Sequence, residues 1–138
     1  MALLFDEDYE VLREAGLEYE EDETNRFLII KNFPLSEGMY VAGGAPVGSV
    51  AILSVIPPNY NTAGCDMFWV YPQLARADGK AIPAVSGPNE DSRHHNGIEY
   101  CRWSRHWNNK PWKTKVDKVQ KILDRLEWAL KNPDADKK

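Results

Sequence analysis

Apolar residues recur at helical spacing in two stretches of this chain and gather into short strand-like runs in three others. The longest periodic stretch is residues 114–130. There Val116, Val119, Ile122, Leu123, Leu126, Ala129 and Leu130 fall on one face, and lysines and aspartates fill the other, which predicts a long amphipathic helix. Thr114, with Asp117 three positions on, reads as an N-cap with an acidic third residue, and Asn132-Pro133 ends the helix. Trp128 falls opposite the apolar stripe, where it lies along the surface or meets a partner. A shorter helix is predicted over residues 6–15, with acids in its first turn, Tyr9, Val11, Leu12 and Ala15 on one side, and Gly16 placed to stop it.

Between the helices, residues 26–32 form a compact apolar run, residues 47–56 alternate and are apolar on both faces, and residues 66–71 are aromatic and β-branched. These are read as three strands, the second central. Short loops without an intervening helix make them an antiparallel meander. The acidic run 18–23 reads as a solvated loop, and residues 73–88, with Asp78-Gly79 and two prolines, as a long irregular connection of the kind that often carries function. The pattern is that of an α+β domain over residues 1–132, with a disordered tail at 133–138.

The chain has 138 residues, enough for one domain with a sizeable core. Its formal net charge of −4 argues against nucleic acid as a partner, which requires a basic footprint. No apolar run is long enough to span a membrane, and the N-terminal segment is acidic where a signal peptide would be basic, so a cytoplasmic protein is expected. In that compartment Cys65 and Cys101 are read as free thiols, with a disulfide between them as the alternative.

Chemistry concentrates in residues 93–112, which hold all three histidines, Cys101, and three of the five tryptophans among several arginines. So polar a setting for aromatic residues reads as a loop or turn surface. One reading makes Cys101 a nucleophile, helped by His106, with Arg102 and Arg105 favouring the thiolate. The other makes Cys101 a small buried hydrophobe. A metal site from His94, His95, His106, Cys101 and Cys65 lacks the paired short spacing of zinc ligands, and none is expected. Ser104 stands two residues before His106, with no acid marked out to orient that histidine. Trp103, Trp107 and Trp112 are most simply packing anchors.

The order and wording of the segments resemble the ubiquitin-conjugating superfamily, and within it the bacterial conjugating-enzyme-like proteins of prokaryotic family E. The resemblance rests on FLIIKNFPLSEGMY, IPPNYNTAGCDMFWVYPQL, RWSRHWNNKPWK and the terminal amphipathic helix, in that order across nearly the whole chain. It implies an α+β ubiquitin-conjugating fold: an N-terminal helix, an antiparallel meander, an active-site loop and a C-terminal helix packed on it. It also implies a transferase that accepts a ubiquitin-like protein from an activating enzyme as a covalent intermediate and passes it to a target amine, without a cofactor. A deconjugating peptidase of the same operon is a further implied partner, and antiviral defence an implied setting.

By the same resemblance, Cys101 is the acceptor of a thioester, with Asn96 of the His94-His95-Asn96-Gly97 segment as an oxyanion donor and His106 as base or orienting group. Ser104, within the WSRH segment, is the alternative acceptor, forming an oxyester. Trp103, Arg105, Trp107 and Trp112 would support the active-site loop. A non-catalytic scaffold of the same fold, binding the ubiquitin-like protein or the activating enzyme, is the second reading.

Overall fold

The structure, a computed structural model, describes residues 3–65, 67–105 and 111–134. In chain order the elements are helix α1 (Asp6–Glu14), strands β1 (Tyr19–Asp22), β2 (Phe27–Pro34), β3 (Tyr40–Ala42), β4 (Ala45–Pro46), β5 (Ser49–Val55), β6 (Phe68–Tyr71), β7 (Ala75–Arg76), β8 (Arg93–His95) and β9 (Ile98–Trp103), and helix α2 (Val119–Lys131). The expected meander is present as β2, β5 and β6, all antiparallel, with β5 in the middle. It belongs to a six-stranded sheet of order β1-β2-β5-β6-β9-β8, beside a small sheet of order β4-β3-β7.

Both faces of the large sheet are apolar because β2 and β5 are buried on both sides. Leu28, Ile30, Ile52, Phe68, Val70 and Trp103 face the two helices, where Leu12 of α1 and Ile122, Leu126 and Leu130 of α2 close the main core. Phe27, Ile29, Leu53, Trp69 and Tyr100 form a second cluster on the opposite face. At the centre of the main core Trp103 stacks on Phe68 at 5.4 Å and meets the edge of Tyr40 at 6.2 Å. The Tyr40 hydroxyl donates to the carbonyl of Leu130 at 2.5 Å, pinning the last turn of α2.

One carboxylate serves the start of both helices. Asp8 is 1% exposed. Its Oδ2 accepts the amide of Phe5 at 3.0 Å and the hydroxyl of Tyr60 at 3.0 Å, while its Oδ1 accepts the amide of Val119, the first residue of α2, at 3.2 Å. Negative charge at a helix N-terminus is favourable for both macrodipoles. Burial, then the nearby Asp8 charge, push the Tyr60 phenol far above its ordinary value, which keeps it a donor.

Several expectations are corrected. The acidic run is strand β1, because its acids alternate between two sets of partners: Glu20 turns toward Lys31 and His95, and Glu21 accepts the Tyr9 hydroxyl at 2.7 Å. Helix α2 starts at Val119 and not at Thr114. Lys115 takes a left-handed backbone (φ 63°), and Asp117 accepts the Lys113 amide at 2.7 Å, closing a separate turn ahead of the helix. Val116, expected on the stripe, is therefore 68% exposed. Trp128 packs partly buried against the main core instead of lying on the surface. Pro133, expected in the tail, is buried and its carbonyl accepts from Arg105 at 3.2 Å, while Asp134 pairs with Arg76. Residues 73–88 are irregular as expected, apart from the two-residue β7.

Replacing Asp8 with alanine orphans two backbone donors and a partly buried phenol, and is expected to lower unfolding free energy by about 2–4 kcal/mol, with Asp8→Asn intermediate. Thermal and urea unfolding of the two variants check this; loss of less than about 1 kcal/mol in Asp8→Ala would contradict the capping role.

Candidate functional site

Residues 93–103 form a β-hairpin, which corrects the expectation of a loop. Asn96-Gly97 is its two-residue turn, with φ of 50° and 77°, between His95 and Ile98 paired in register. Positive φ at both turn positions is the signature of the hairpin turn that an Asn-Gly dipeptide favours, and this was the signal to read in the sequence. Strand β9 then pairs with β6, so the hairpin extends the meander and is part of the sheet.

Strand alternation separates the candidate residues onto two faces. Cys101 stands opposite Val70, on the face of the main core, and is 5% exposed. Burial, and then the carboxylate of Glu99, raise its thiol above the ordinary value. Among the described residues, the two arginines expected to favour the thiolate are engaged elsewhere. Arg102 lies on the other face and donates to Asp91 Oδ2 at 2.7 Å and to Ser86 Oγ at 3.2 Å. Arg105 is fully buried, stacks over the Trp103 ring at 4.9 Å, and donates to the carbonyls of Pro83, Ser104 and Pro133. Cys65 is partly exposed, and both cysteines are free thiols.

Ser104 is the first residue beyond β9 and is partly exposed. The backbone at this exit is held firmly: the Ser104 amide donates to Ala84 at 2.9 Å, the Ser86 amide to Arg102 at 2.9 Å, and Val85 bridges to Trp103. Arg105 joins the same exit to Pro133 after α2. His106 and Trp107 lie outside the described residues. Trp103 and Trp112 are anchors as expected. Trp112 donates to the carbonyl of Asn61 at 2.8 Å, sits under Arg125 at 5.6 Å, and occupies the space a Cβ on Gly64 would need, 2.1 Å from its ring.

Asn96 and His95 face the other way, into a groove of about 410 Å³ floored by Ile29, Ala51, Ile98 and Tyr100 and flanked by Tyr71 and Pro72. Glu20 gathers this group: its Oε2 lies 2.5 Å from His95 Nε2 and 2.9 Å from Asn96 Nδ2, and its Oε1 lies 2.9 Å from Lys31. At about 3.3 Å per residue from Ile98, Cys101 stands about 10 Å and Ser104 about 20 Å up the strand, with Asn96 beyond Ile98 at the tip. The structure therefore brings Asn96 together with Glu20, and with neither Cys101 nor Ser104. His94 is largely exposed, 3.9 Å from Glu99. Among the described residues no group of three or more His, Cys, Asp or Glu side chains is placed to hold a metal ion, and no helix is long and apolar enough to cross a membrane.

A curled antiparallel sheet backed on one face by two helices is compatible with the ubiquitin-conjugating fold. The chain belongs to prokaryotic E2 family E, whose family model matches residues 4–133. At the level of that family the role is ubiquitin-like protein conjugation by a conjugating transferase, with a ubiquitin-like protein and an E1-like activating enzyme as general partners. No curated protein and no solved structure matches the chain.

The Lys31 ammonium, then His95, hold the Glu20 carboxyl down at about 2, against an ordinary value of 4.5. A depressed carboxylate contributes stability that is present above its unfolded value and is lost as pH falls toward its folded one. Acid unfolding followed by far-ultraviolet circular dichroism should therefore show Glu20→Gln less stable than the parent at neutral pH, the gap closing between pH 4.5 and about 2. A gap that stays constant over that window would contradict the assignment.

Proposed function

We propose that this chain carries a ubiquitin-like protein as a covalent ester where β9 ends, and hands it to a target amine. The observation that supports this reading is the contrast along β9. Cys101 faces the core with a raised thiol, whereas Ser104, at the rigid exit, is partly open to solvent. The acceptor on this reading is Ser104.

The Ser104 hydroxyl oxygen attacks the carbonyl carbon of the activated C-terminus, the activating enzyme's thiolate leaves, and the serine proton passes to a base. His106, two residues on, is the base we assign. The target amine then attacks the ester carbonyl, the serine oxygen leaves and is reprotonated, and an amide bond remains. A thioester on Cys101 draws on the better intrinsic nucleophile, but requires the end of β9 to turn its inner face outward. The burial of Cys101 favours one further reading, a non-catalytic scaffold that binds the ubiquitin-like protein or the activating enzyme without forming a bond.

Intact mass spectrometry after incubation with ATP, the activating enzyme and the ubiquitin-like protein separates these readings. The expected adduct survives thiol, yields to hydroxide, and falls at least about 100-fold in Ser104→Ala while persisting in Cys101→Ala. An adduct that is lost on thiol treatment and absent in Cys101→Ala would transfer the role to Cys101. Absence of any adduct while the activating enzyme charges itself would establish the scaffold.

A further inference from the structure

Among the described residues no helix packs over the second apolar cluster. It is roofed instead by charged side chains from the two ends of the sheet. Registers place Glu20 opposite Ile29 and Asp22 opposite Phe27 on one side, and His95 opposite Ile98 and Arg93 opposite Tyr100 on the other, so these side chains share a face with the apolar floor. Arg93 lies over the Trp69 ring at 4.5 Å. His95 is held between two carboxylates, with Nε2 2.5 Å from Glu20 and Nδ1 3.6 Å from Asp22.

Strands β1 and β8 stand at opposite ends of the sheet order, each paired along one edge only. The sheet has curled until its ends meet, and the ends meet through side chains, with no backbone ladder between them. Parting it leaves β1 and β8 each held by one short ladder, free to fray, while the pairings among β2, β5, β6 and β9 stay intact. The strands it joins are short, of four and three residues, and Glu20 remains 32% exposed beside an open groove. Lys31 from β2 and Asn96 at the hairpin tip hold the same carboxylate, so loss of Glu20's charge loosens the whole junction at once.

We infer that Glu20, Asp22 and His95 form an openable clasp, an ionic latch whose release lets β1 and the β8–β9 tip swing apart and uncovers the floor of Ile29, Trp69 and Tyr100. The rest of the fold stays closed, because the main core is covered by helices on the other face. Access to the second cluster is thereby set by ionic strength and by any charged group that competes for Glu20 or His95.

Amide hydrogen exchange read by mass spectrometry at constant pH tests this on the full chain. In Glu20→Gln and in His95→Gln, peptides covering β1 and β8 should exchange about tenfold faster, with β5, β6 and α2 unchanged. The double variant should fall short of the sum of the two single effects, since the Glu20–His95 contact is common to both. The parent protein supplies a test independent of any variant's folding: raising sodium chloride from 0.05 to 1 M should speed exchange in β1 and β8 together. Unchanged protection of those peptides in high salt would overturn the clasp. So would a loss of protection spread evenly over the sheet and α2, which would make the cluster a general support of the fold.

Discussion

Three donors converge on the buried carboxylate of Asp8: the amide that opens α2, the amide of Phe5 ahead of α1, and the Tyr60 hydroxyl. Removing water from a carboxylate is costly unless its lone pairs are satisfied, so this arrangement tolerates little displacement of either helix start. Its consequences run the length of α2. With its first turn tied to α1, the helix lays Ile122, Leu126 and Leu130 against the sheet and presents its last carbonyls to Tyr40. Pro133, the second residue beyond the helix, accepts from Arg105 and so ties the exit of β9 to the far end of the helix. The place where the chain is proposed to carry its partner is thus positioned, through one helix, by a carboxylate in the first turn of the protein.

That exit is rigid for a second reason. Arg105 is fully buried, and its two terminal nitrogens donate to the backbone carbonyls of Pro83, Ser104 and Pro133 while its plane lies over the face of Trp103. The charge expected to activate Cys101 is in this way committed to holding the backbone. Cys101 and Ser104 lie three residues apart in sequence, yet differ in burial, because strand parity turns the thiol inward and the strand ends before the hydroxyl. The electrostatic effect of Glu99 points the same way as burial.

The elements with long, consistent periodicity were legible: the meander, both helices and the central position of β5 follow from patterns of apolar residues that local and tertiary forces both favour. What was not legible depends on partners distant in sequence. Glu20 and Asp22 read as solvent-facing because nothing nearby in the chain neutralises them, and their counter-charges at His95 and Lys31 become visible only once the sheet curls. The start of α2 was misplaced because Thr114 and Asp117 are good capping residues that the chain uses for a turn, while the real cap is Asp8, more than a hundred residues earlier. The density of histidine, arginine and tryptophan in residues 93–112 suggested one reactive surface. The Asn-Gly turn instead folds residues 93–103 into a strand pair that sorts its side chains onto opposite faces.

The central claim is that β9 withholds Cys101 from solvent and leaves the strand's exit as the place for chemistry. Its most direct test is labelling of the folded protein with iodoacetamide, followed by peptide mass spectrometry that resolves the two thiols. Cys65, partly exposed, should label at least about tenfold faster than Cys101 at neutral pH, and Cys101 should gain reactivity only on unfolding in urea. Labelling of Cys101 as fast as Cys65 in the folded protein would contradict the account and return the thiol to the centre of the mechanism.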